Sequence, residues 1–139
     1  MKNIYKIGSF FLLSFVLFTY ACEHEQGVGP QGGGLEPTFS SIQSNILTPK
    51  CVNAGCHPGS LAPMSLQAGV AHGNLVNRPS AFGIPRVAPG DADNSALYLK
   101  VIGDNSVGSR MPLPLSRNAL SSAETNAIRD WINNGAQNN

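Results

Sequence analysis

The chain turns on "TPKCVNAGCHPG", residues 48 to 59. Cys51 and Cys56 are two of the three cysteines, and His57 directly follows the second. A thiol pair with an adjacent histidine is the pattern of covalent haem attachment. Two thioethers hold the porphyrin edge, and the next side chain must then reach the iron. The usual motif places two residues between the cysteines; here four intervene, Val52, Asn53, Ala54 and Gly55. Ala54 and Gly55 are small enough to loop out, so the wider gap strains the motif without forbidding it. The same pair in an exported chain also suits a small disulfide loop, stabilising by only ~2 kcal/mol at so short a closure. On that reading His57 is incidental. Structural zinc is a third option, but two thiolates and His57 would need a fourth ligand, and there is no second cysteine pair.

Upstream, Lys2 and Lys6 precede an uncharged apolar run from Ile7 to Phe18. That run is too short to span a bilayer and suits the core of a signal peptide. It is followed by "FTYAC", with the small Ala21 directly before Cys22. This stretch resembles the lipobox of bacterial lipoproteins, although Thr19 stands where that family prefers Leu. The resemblance implies lipidation of Cys22 and anchoring at the cell envelope, in the periplasm or on the outer membrane. Residues 1–21 are then a signal peptide, and an ordinary secretory signal is the alternative. Without Lys2 and Lys6, seven basic residues face eight acidic ones, a net charge of −1. No basic excess remains for nucleic acid. Residues 22–37 hold five glycines and two prolines and read as a tether, with a typical span of about 20 Å. His24 falls there, as a solvated residue.

Residues 38–139 form a single domain, with few charges and much Gly, Pro, Asn and Ser. This composition predicts an all-α fold of about four short helices joined by long loops. So thin a core calls for a staple: a disulfide, a metal or a large apolar cofactor. In "TFSSIQSNIL" Thr38 caps the first helix, Phe39, Ile42 and Ile46 share a face, and Pro49 stops it. "SLQAGVAHGNLV", residues 65–76, is the second. "DNSALYLKVIG" is the third, with Asp93 as N-cap, Leu97, Tyr98 and Val101 facing inward and Gly103 as the stop. The fourth, "LSSAETNAIRDWINNG", opens on a capping box of Ser121 and Glu124. Its apolar face is Ala127, Ile128, Trp131 and Ile132, and Gly135 closes it.

A second axial ligand for a haem iron must come from farther along the chain. Met111 in "SRMPLPL" is the first candidate, because its thioether is a soft neutral donor in a loop stiffened by Pro112 and Pro114. His72 on the second helix is the runner-up, as a bis-histidine partner. Met64 is third, since it lies only seven residues beyond His57. Arg86 and Arg110 are candidates to pair with haem propionates, and Asp91 and Asp93 to cap the third helix.

The order of pieces carries a wider resemblance. "ILTPKC" and "GCHPG" are followed by "MSL", "NLV", "VAPGDADNSALYLKV", "RMP" and "LSSAETNAIRDWINNGA". From Phe39 to Ala136 the chain resembles a cytochrome c domain of the type found in planctomycete-like and Bacteroidetes lipoproteins. The departure is the four-residue gap. The resemblance implies one covalent haem c on Cys51 and Cys56, His57 as proximal ligand and Met111 as distal ligand. It also implies a final helix that packs across the first. The expected function is electron transfer between redox partner proteins outside the cytoplasm, with no nucleic acid and no small-molecule substrate. No nucleophile–base pair, paired carboxylates or phosphate loop points to an enzyme. The alternative is a haemless exported module with a Cys51–Cys56 disulfide and a binding or structural role.

Overall fold

The computed structural model describes residues 35–58, 64–113 and 119–139. The chain enters a helix at Phe39–Ile42 (α1), capped by Thr38, whose hydroxyl accepts from the Ser41 amide. Without a break it widens into a π-helix, Gln43–Val52. Three further helices follow: α2 (Ala71–Leu75), α3 (Ala96–Ile102) and α4 (Ser122–Asn133), with a 3₁₀ turn at Asn105–Val107. Among the described residues there are no strands, only isolated pairings such as Val76 with Val87. The domain is all-α and small, with four helices among the described residues, as the sequence predicts. None of the described helices is long and apolar enough to cross a membrane.

Three helix boundaries differ from expectation. Pro49 does not stop the first helix; it lies inside the π-helical stretch. Proline lacks an N–H and its ring collides with the carbonyl four residues back. The stretch runs in the wider π register, seen where the Asn53 amide bonds the Thr48 carbonyl, five residues back, at 2.8 Å. The helix continues through Cys51 to Val52. The second helix covers only Ala71–Leu75, because Gly69 takes a left-handed conformation (φ +85°) and residues 67–70 form a turn. Asp93 is not the cap of α3, which begins at Ala96 after Ser95. Asp91 organises that entry instead. Its carboxylate accepts from the Asn94 amide at 3.1 Å, and its carbonyl accepts from the Ser95 hydroxyl at 2.7 Å.

The end of α3 follows the sequence, with Gly103 left-handed at φ 82°. So does all of α4. Ser121 and Glu124 form the reciprocal capping box. At the far end Gly135 (φ +94°) donates to Ile132 and Ala136 donates to Trp131, a Schellman closure. Ala127, Ile128, Trp131 and Ile132 are all buried. Ile128, Trp131 and Ile132 meet Phe39, Ile42, Ile46 and Leu47 from the first helix in one core with Leu66, Leu75 and Val87.

Candidate cofactor site

An apolar cavity of about 300 Å³ opens between the π-helix, α3, α4 and the loop after α3. Ile46, Leu47, Leu75, Leu97, Val101 and Ile128 form much of its wall. Cys51, Cys56, His57, Met64 and Met111 line the same space. Residues up to 60 positions apart in the sequence are thus brought together. Phe82 and Leu113, both exposed, stand at the lining as well, with the Lys100 ammonium 4.8 Å above the Phe82 ring.

The cysteine loop owes its shape to the π-helix. Cys51 falls in the last turn, and its carbonyl accepts from the amides of both Cys56 (3.2 Å) and His57 (2.9 Å). The intervening residues fold back in a turn closed by the Gly55 amide on the Val52 carbonyl, at 2.8 Å. Gly55 sits at φ +80° with open space where a Cβ would be, so its role is conformational rather than steric. The four-residue gap is thus absorbed by a tight reversal. Both thiols are free. Burial, and then the neighbouring Cys56, push the Cys51 thiol up to about 11, against the pull of Lys50. A thiol held protonated is a poor partner in disulfide exchange, which proceeds through the thiolate.

His57 offers one ring nitrogen to the protein. Its Nδ1 lies 3.3 Å from the Met64 carbonyl, which can only accept, so Nδ1 carries the hydrogen. Nε2 then keeps its lone pair, the state a metal ligand requires. Met111 is fixed through its backbone to the end of α3. Its amide donates to the Lys100 carbonyl (3.0 Å). Beside it Arg110 Nε donates to Val101 O (2.9 Å) and Lys100 Nζ to Ser109 O (3.1 Å). The Cys56 thiol also approaches the Leu113 carbonyl, at 3.6 Å, so the cysteine loop and the methionine loop meet.

The other candidates fall as follows. His72 is not on the cavity. Its Nε2 donates to the Ala136 carbonyl at 2.9 Å, and its ring lies edge-on to Phe39 at 5.0 Å. Met64 does line the cavity, and it also supplies the carbonyl that holds His57. Arg86 borders the cavity, with Nη1 on the Asn74 carbonyl, while Arg110 spends its Nε on Val101. Leu97 lines the cavity; Tyr98 packs partly buried on the core. Trp131 is buried beside Phe39 and His72 instead of on the cavity wall, where Ile128 represents α4. Among the described residues no three His, Cys, Asp or Glu side chains converge as a metal-binding group. Residues 22–34 of the tether, with Cys22, and Pro114 lie outside the described residues.

Lys50 was missing from the sequence reading. It pairs with Glu124, the N3 residue of α4, and so ties the cysteine loop to that helix. Burial raises the Glu124 carboxyl, but bonds from Lys50 and Ser121 outweigh it and hold the group below its ordinary value. The chain matches no protein-family model, no curated protein and no solved structure.

Proposed function

We propose that the protein is a monohaem c-type cytochrome that transfers electrons outside the cytoplasm. The observation that carries this reading is the meeting of Cys51, Cys56, His57 and Met111 on one apolar cavity. The donor set fits the group: two thiols for the vinyl edges, an imidazole with a free Nε2, and a soft thioether. Haem c supplies a one-electron iron couple when bound. The chain's own part is to hold it. Cys51 and Cys56 make the covalent attachment, with Cys51 on the helix end and Cys56 on the turn. His57 is oriented by the Met64 carbonyl. Met111 is presented by a loop bonded to α3 in three places. Leu47, Leu97, Val101 and Ile128 exclude water, and a poorly solvated site lowers the reorganisation needed when charge changes. If His57 and Met111 both held the metal, no position would be left for substrate, so the proposed role is that of a carrier. Anchoring through a lipid on Cys22, with the tether spacing the domain from the membrane, completes the proposal.

The test is expression with a cytochrome c maturation system, followed by haem staining and intact mass. A covalent haem and a methionine-ligated spectrum are expected, and Met111→Ala should abolish the latter. An intact mass two protons light with no haem would replace this reading with the disulfide module. Haem binding with peroxide turnover and an indifferent Met111→Ala variant would make the site catalytic.

A further inference from the structure

Gln43 is 8 % exposed, a polar side chain deep in the first helix. Its Nε2 donates to the Leu66 carbonyl and to the Thr48 hydroxyl, each at 3.0 Å. Its Oε1 has no partner. An orphaned buried acceptor is unfavourable, so a Met or Leu would sit there more comfortably. What an apolar residue cannot provide is the pair of donors. The orientation of the amide is fixed too, since turning it over would set Oε1 against the Leu66 carbonyl.

The target of those donors is the segment that holds His57. Three successive carbonyls, Met64, Ser65 and Leu66, each accept from a different side chain: His57 Nδ1 at 3.3 Å, Asn74 Nδ2 at 2.9 Å and Gln43 Nε2 at 3.0 Å. The Leu66 amide returns a bond to the His57 carbonyl at 3.1 Å. This segment belongs to no helix, so nothing periodic fixes the direction of its carbonyls. The buried Leu66 side chain sets its depth. The two amides set its rotation. Asn74 is itself held, its carbonyl accepting from Arg86 Nη1 at 2.8 Å.

We propose that Gln43 and Asn74 are positioning residues for His57, acting through the backbone of residues 64–66. The proposal rests on the haem reading for its functional meaning. By fixing the Met64 carbonyl they hold the His57 ring in one tautomer and one rotation, with Nε2 toward the cavity. Neither residue lines the cavity.

The experiment compares the full chain, matured with haem, with Gln43→Met, Asn74→Leu and the double variant. Exchange of the His57 Nδ1 proton with solvent is followed by NMR. The His72 Nε2 proton, bonded to Ala136 in another part of the molecule, is the internal reference. Each single variant should accelerate His57 exchange about tenfold, the double more, with His72 unchanged. Acceleration of both protons together would reduce Gln43 and Asn74 to general stability and overturn the proposal. So would an unchanged His57 rate. Two variants at separate sites guard against one that fails to fold. Intact mass of the wild type decides the haem reading separately, and the exchange comparison applies to the chain in whichever form it matures.

Discussion

The two described histidines in the folded domain stand in regions built on opposite principles. His57 gives its Nδ1 to a backbone carbonyl and lines the cavity. His72 gives its Nε2 to a backbone carbonyl and is packed edge-on against Phe39 and Trp131. One region is a ring of donors around a space, shaped by irregular backbone. The other is a filled aromatic cluster under a Schellman closure, with Trp131 Nε1 satisfied by the Gln137 carbonyl at 2.8 Å. Either ring nitrogen can ligate, so what separates the two is their surroundings: His57 lines the cavity, and His72 is packed among aromatic rings. Sequence spacing carries no trace of that difference.

The largest expected effect separates the two regions outright. On the proposed haem reading, His57→Ala should abolish the low-spin haem spectrum, whereas His72→Ala should leave it intact; a spectrum that depends on His72 would reverse the assignment. Next, Trp131→Ala empties the filled region and should cost about 3–5 kcal/mol in denaturant unfolding. An effect below 1 kcal/mol, on the order of a surface change, would show the aromatic cluster to be loosely packed. The His72→Ala variant should itself cost about 1–3 kcal/mol, because the Ala136 carbonyl is left without its donor. The smallest effect concerns the ion pair joining the cysteine loop to α4. The folded Glu124 carboxyl lies below its ordinary value of 4.5, so its contribution is present above that value and is lost as the pH falls through the lower, folded one. Unfolding of Glu124→Gln at a series of pH values should show a difference from wild type that shrinks in acid. A constant difference would remove the ion pair as its source.

What the sequence made legible was local. Ser121 and Glu124 are three residues apart, so their capping box can be read directly, and so can the stop at Gly103 and the Thr38 cap. The inward positions Phe39, Ile42 and Ile46 follow from helical spacing alone. The π-helix was hidden, because Pro49 is a helix stop by every local rule and only the continued register shows it carried through. The second helix was overread because its apolar spacing ignores the left-handed Gly69. At the site, the motif named Cys51, Cys56, His57 and Met111, and all four line one cavity. Lys50, Gln43 and Asn74 were missed. Each acts through a partner many residues away, and a lone Gln or Asn in a helix carries no periodic or motif signal.

The start of α1 has a mechanical consequence. The Phe39 amide donates to Asn139 Oδ1 at 2.9 Å, and the Ser40 amide donates to the Asn139 carbonyl at 2.8 Å. The chain that precedes Thr38 therefore joins the domain at the end of the helix away from Cys51. A pull on the chain before Thr38 would meet the Asn139 bonds first, and then the aromatic cluster that holds Phe39. The load path runs through the filled region, and the donors around the cavity lie beyond its far end.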